Sequence, residues 1–219
     1  MEWGPKITTT TYVVVNRIAS LSLLNACSHS GDRTHYVFHF LKRLVGHDVD
    51  TFRSLKEDRQ NAITLLFERA ERTLLEIPHS HSDDANFQVQ DTLDRLARTL
   101  VNDNADMFLD GFNRLHRPAE RLLDSFIDGF QNSYQTLAAN IKLQPGKTAD
   151  KITYGEKIRL TREALRIGIE IATTERALVA LSHTVPVRNS FVHPKGDRIT
   201  MEALIAAIEH YGEFYRWRA

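Results

Sequence analysis

Apolar residues recur every three or four positions along most of the chain, the spacing that places one stripe of each helix against a core. The clearest stripe is Leu123, Phe126, Phe130, Tyr134, Leu137 and Ile141. With Pro118 suited to a first helical turn and Gln144-Pro145-Gly146 as a stop, it predicts one helix over 118–141. A second stripe, Met201, Leu204, Ile205, Ile208, Tyr211 and Tyr215, predicts a helix over 201–215 with Thr200 as N-cap. Thr153 and Glu156 have capping-box spacing and open a long helix over 156–182. Leu165, Ile169 and Ala172 form one of its stripes, and Ile171 and Leu178 lie on a neighbouring one. Further helices are expected over 33–45, 52–77, 87–100 and 105–115. Residues 8–15 are rich in β-branched side chains and read as extended, but one such run cannot build a sheet.

Two polar stretches interrupt this pattern. The first, His79-Ser80-His81-Ser82-Asp83-Asp84, follows Pro78, and the second spans 143–151 with Pro145 and Gly146. Neither is long enough to require a domain boundary. The expectation is an all-α bundle of six to eight helices in one domain, with an N-terminal half, 1–116, and a C-terminal half, 117–219.

Composition narrows the functional classes. Hydrophobic residues make up 42% of the 219, sufficient for an ordinary core. Lys plus Arg and Asp plus Glu are 28 each, so no bulk field holds a polyanion, and any phosphate site must be local. No apolar run approaches the roughly 20 residues of a membrane span, so no membrane partner is expected. The single cysteine, Cys27, excludes an internal disulfide framework and fits a cytoplasmic location. It reads as a bland thiol without an activating neighbour.

The segment Val187-Arg188-Asn189-Ser190-Phe191-Val192-His193-Pro194 carries the chemistry. RNA cleavage by its own 2′-hydroxyl needs a group that moves protons near neutral pH and a fixed cation for the developing phosphorane charge. Histidine and arginine supply these without a metal or cofactor. Residues five apart on a helix diverge by about 140°, whereas Asn189 and His193, four apart, share a face. A single copy therefore makes a poor site, and two copies facing each other make a better one. The plainer alternative is structural: Arg188 pairs with Glu175 or Asp197, and His193 caps a helix end.

This segment resembles the R-N-x-x-x-H form of the Arg-x4–6-His motif of the HEPN superfamily, the higher eukaryotes and prokaryotes nucleotide-binding domains. The resemblance covers 118–219: two helices, the motif, then another helix. It implies a helical, often dimeric fold and a metal-independent endoribonuclease of toxin, stress or antiviral systems. Arg188 and His193 would be the catalytic pair, and Asn189 and Lys195 would bind substrate. Lys195 stands where many toxin-type members carry tyrosine. RNA or a nucleotide, a second copy of the chain and a neutralising protein are the implied partners. A non-catalytic helical binding or scaffold module is the alternative in another class.

Other constellations read as structural. His35 and His39 share a helix face but lack a further ligand, and His79, His81, Asp83 and Asp84 read as a solvated loop, so no metal site is expected. Gly146-Lys147-Thr148 imitates the end of a phosphate-binding loop, but Ile141 occupies the position of its first glycine. Tyr211, Phe214, Tyr215 and Trp217, interleaved with Arg216 and Arg218, read as the inner face and end of the last helix rather than a base-stacking platform.

Overall fold

A computed structural model describes residues 40–77, 83–193 and 198–218. The described residues form α-helices and short 3-10 turns and contain no strand, so the fold is all-α as expected. After helical residues 40–43 come α1 (His47–Ser54), α2 (Glu57–Glu76), α3 (Asp83–Asn102), α4 (Leu109–Gly129), α5 (Tyr134–Asn140), α6 (Tyr154–Arg166), α7 (Glu175–Val192) and α8 (Met201–Arg218). The extended reading of 8–15 lies outside the described residues, as do His35, His39, His79, His81 and Cys27.

Of the helix expected over 33–45 only 40–45 are described, helical at 40–43; the other expected helices are present, but three segments divide, each for an identifiable reason. Residues 52–77 divide because α1 ends at Ser54 and Leu55 turns extended. The Gln60 side chain then donates to the carbonyls of Phe52 (3.1 Å) and Leu55 (2.9 Å), satisfying acceptors left at that end.

Residues 118–141 also divide. Pro118 does not open this helix: it lies inside α4, which begins at Leu109 after a 3-10 turn, Ala105–Phe108, capped by Asn104. At the other end, Phe130 departs from helical backbone and a 3-10 turn, Gln131–Ser133, leads into α5. Phe130 and Tyr134 are both buried on either side of this turn. The stripe crosses the break unbroken, which is why spacing alone reads it as one helix.

The helix expected over 156–182 is two. The Thr153–Glu156 capping box opens α6 as anticipated, with both reciprocal bonds present. Gly168, at φ +82°, closes it. Its N–H reaches the Leu165 carbonyl at 3.0 Å, and the Ile169 N–H reaches Ala164 at 2.9 Å, the paired bonds of a Schellman motif. Thr174 then starts α7 by accepting from the Ala177 N–H.

The last helix follows its pattern closely. Thr200 accepts from the Ala203 N–H, and Met201, Leu204, Ile205, Ile208 and Tyr211 are buried. α8 packs on α7, α2 and α4, while α6 packs on α7, α4 and α5. One hydrophobic cluster runs from Phe40 to Phe214, and α4 crosses the expected division at 116/117 without interruption. α8 comes close to α2 at Gly212, where a Cβ would lie 2.2 Å from Thr73 Cγ2.

Candidate functional site

The Arg-Asn-x-x-x-His segment forms the C-terminal end of α7. Arg188 and Asn189 are helical, and His193 is the C-cap, its N–H donating to the Asn189 carbonyl at 2.8 Å. The helix carries Pro186 in its interior and is held at its end by Phe191, whose ring lies 4.7 Å from that of Phe112 on α4. Asn189 and His193 are exposed, Arg188 is half-buried, and Lys195 and Asp197 fall outside the described residues.

Of the two carboxylates anticipated as partners of Arg188, Asp197 lies outside the described residues and Glu175 pairs elsewhere. Glu175 sits at the opposite end of α7, about 20 Å away along the axis, and is bonded to Arg162 at 2.6 Å. Arg188 Nη1 donates to the neighbouring Asn189 Oδ1 at 3.3 Å. Its Nε is buried and has no hydrogen-bond partner among the described residues. Arg188 and Asn189 are thus brought together, while no bond joins Arg188 to His193, in keeping with their divergence around the helix.

Behind Arg188 the four helices α4, α6, α7 and α8 enclose a polar chain. His116 on α4, 5% exposed, engages both ring nitrogens: Nδ1 lies 2.9 Å from the Tyr211 hydroxyl and Nε2 3.0 Å from Glu120 Oε2. A carboxylate only accepts, so Nε2 carries a hydrogen, and in the neutral ring Nδ1 accepts from Tyr211. Tyr154 on α6 lies 3.1 Å from Thr184 Oγ1 on α7, and Thr184 donates its own hydrogen to the Leu181 carbonyl at 2.8 Å. Tyr154 is therefore the donor of that pair. On the outer side, Lys157 binds Glu120 at 3.2 Å and Asp124 at 2.7 Å, where Lys157 and Asp124 line an open cavity of about 650 Å³.

Burial and charge set the protonation of this chain. The hydrogen bond from His116, with Lys157 beside it, holds the Glu120 carboxyl at about 2 against burial. Burial pushes the Tyr154 hydroxyl up to about 12, opposed in part by the Arg188 charge. Burial likewise raises Tyr211. Both tyrosines thus stay protonated at neutral pH.

A folded pKa below the usual 4.5 makes Glu120 a source of stability above pH 4.5 that is lost as pH falls towards 2. Because solvent screens a carboxyl that is only half buried, the expected loss across that window is about 1–2 kcal/mol. It should be readable as an acid-dependent fall in urea midpoint, and Glu120→Gln should flatten the dependence between those pH values. An unchanged slope in Glu120→Gln would show that another group carries it.

The remaining sequence candidates find simpler surroundings. Lys147 of Gly146-Lys147-Thr148 binds Glu156 at 2.6 Å. Tyr211 and Phe214 are buried, the half-buried Tyr215 donates to the Leu115 carbonyl at 2.7 Å, and Arg176 lies 4.6 Å from the centre of the exposed Trp217 ring. Asp83 and Asp84 begin α3 instead of extending the loop. Among the described residues, no group of three or more His, Cys, Asp or Glu side chains is placed to share a metal ion. No helix among them is long and apolar enough to cross a membrane.

Sequence reasoning missed His116, Glu120, Tyr154 and Thr184. The available signal was local: His116 and Glu120 are four apart in a helical segment, the spacing of a face-sharing pair. Compared with protein families, curated proteins and solved structures, the chain matches none of them.

Proposed function

We propose that the chain is a metal-independent endoribonuclease of the kind the HEPN resemblance implies. The observation that carries this reading is Arg188: a half-buried guanidinium that no carboxylate among the described residues neutralises, at a helix end that also exposes Asn189 and His193. A phosphodiester oxygen is a fitting acceptor for the terminal N–H groups of such a guanidinium.

In the proposed reaction, His193 takes the proton of a 2′-hydroxyl as that oxygen attacks the adjacent phosphorus. The P–O5′ bond breaks, the leaving 5′-oxygen takes up the proton that a His193 imidazolium gives back, and the products are a 2′,3′-cyclic phosphate and a 5′-hydroxyl. Arg188 stabilises the charge on the non-bridging oxygens, and Asn189 and Lys195 hold the phosphate. Because Arg188 and His193 diverge within one chain, the productive site is proposed to form between two copies, with Arg188 of one facing His193 of the other. A cytoplasmic setting in toxin, stress or antiviral defence, with a neutralising protein partner, belongs to the same reading.

The test is RNA cleavage by the purified protein in EDTA, with the product ends identified. Cyclic phosphate ends support the proposal, and the same sequence in 2′-deoxy form should resist. The separation of Arg188 from His193 in a single copy favours a second reading, binding of RNA or a protein partner without turnover. Retained RNA binding with no cleavage would select that reading.

A further inference from the structure

We infer that Tyr154 is the internal anchor of Arg188: when an anion takes the outer edge of the guanidinium, the buried Nε–H donates to the Tyr154 hydroxyl oxygen. This deepens the proposed function and rests on it for the identity of the anion.

The argument is an account of donors and acceptors. Thr184 and Arg188 are one turn apart on the same face of α7. Thr184 is fully buried and sits 3.1 Å from the Tyr154 hydroxyl, which is 1% exposed. Every hydroxyl hydrogen in this cluster has an assigned acceptor. Thr184 donates to Leu181, Tyr154 donates to Thr184, and Tyr211 donates to His116 in the neutral ring. If His116 instead carries both hydrogens, the Tyr211 hydrogen is released towards Tyr154. In either case at least one lone pair on the Tyr154 oxygen remains open.

Beside this cluster stands a donor without an acceptor among the described residues, Arg188 Nε. A buried N–H left unpaired is costly, and a charged donor more so. The Tyr154 oxygen supplies the missing acceptor in the same buried cluster, one helical turn from the base of the arginine. The outer nitrogens meanwhile remain on the side of exposed Asn189. Arginine has a donor for each role, Nε–H inward and the terminal N–H groups outward, whereas lysine has a single ammonium. Tyr154 is in this sense a positioning residue, since it acts on the substrate through Arg188.

Two readouts test it. The first is affinity for a short 2′-O-methyl oligoribonucleotide, which cannot be cleaved by its own 2′-oxygen. Tyr154→Phe should weaken it roughly tenfold, and the same change in an Arg188→Lys background should weaken it no further. Equal losses in both backgrounds would show a merely structural role and overturn the inference.

The second readout needs neither turnover nor RNA. Inorganic phosphate should shift the Arg188 Nε–H resonance, identified by its loss in Arg188→Lys, and the shift should vanish in Tyr154→Phe. It should persist in Tyr134→Phe, which removes a hydroxyl donating to the Lys147 carbonyl instead. In wild-type protein with carbon-13 at tyrosine Cζ, phosphate should also move the Tyr154 signal, a measurement independent of whether Tyr154→Phe folds. A phosphate-induced Arg188 shift that survives in Tyr154→Phe, or a Tyr154 signal unmoved by phosphate, would overturn the anchor. Failure of RNA cleavage alone would leave both spectroscopic results standing and would count against the ribonuclease reading only.

Discussion

Replacing His193 by alanine should cut RNA cleavage by about a hundred- to ten-thousand-fold, the range over which a positioned acid–base group contributes. The side chain is exposed at the C-cap of α7, and its structural contribution there is the backbone N–H bond to Asn189, which alanine retains. Stability should therefore change by less than about 0.5 kcal/mol. Arg188→Lys should be impaired to a similar extent, because an ammonium offers neither the planar fork nor a separate inward N–H. Cleavage and unfolding measured on the same preparations separate the two effects. Full cleavage by His193→Ala would sink the catalytic assignment. If the site forms between two copies, mixing inactive Arg188→Lys with inactive His193→Ala should restore part of the activity, because one of the two shared sites in a mixed dimer is then wild-type.

Phe112→Ala should cost about 3–5 kcal/mol, the largest stability loss expected of a single change near the site. Phe112 is 1% exposed and lies under three rings, with centroids 4.7 Å from Phe191, 5.7 Å from Tyr211 and 6.0 Å from His116. Its removal opens a cavity at the point where the last turn of α7 is held to α4. The loss should therefore appear both in denaturant unfolding and as faster amide exchange around Phe191. Phe112→Leu, which keeps most of the volume, should lose much less. A cost below about 1 kcal/mol for the alanine variant would mean that the surrounding helices close the gap.

The fold was legible where periodicity and caps agreed. The inward face of α8 and the Thr153–Glu156 opening of α6 were read from residue spacing and type alone. Breaks were harder when the stripe survived them. Phe130 and Tyr134 remain buried across a 3-10 turn, so nothing in the apolar pattern marks the end of α4. Gly168 did carry a stop signal, a residue at ease with positive φ, but the apolar residues at 169 and 171 masked it.

The site was legible only in part. Arg188, Asn189 and His193 are contiguous in sequence, so a motif could nominate them together. The chain from Glu120 through His116 and Tyr211 to Tyr154 and Thr184 joins residues up to 95 positions apart. Its members come from four helices, and each is unremarkable within its own segment. Tyr211 was placed inward as core, correctly, but burial gives no indication of which polar atom waits on the other side. Only the packing of α8 between α7 and α4 brings its hydroxyl to His116.

The close approach at Gly212 implies a rule for how this chain can vary. A methyl group added there meets Thr73 Cγ2, and Thr73 is itself tied back to the Arg69 carbonyl by a 3.1 Å hydrogen bond. Alanine at 73 removes the colliding atom, so the same methyl group that strains α2 against α8 in the parent background is left in ordinary van der Waals contact, 3.6 Å from the Cβ of residue 73. Positions 73 and 212 are therefore epistatic, and relatives of this chain should admit a side chain at 212 only alongside a residue smaller than threonine at 73.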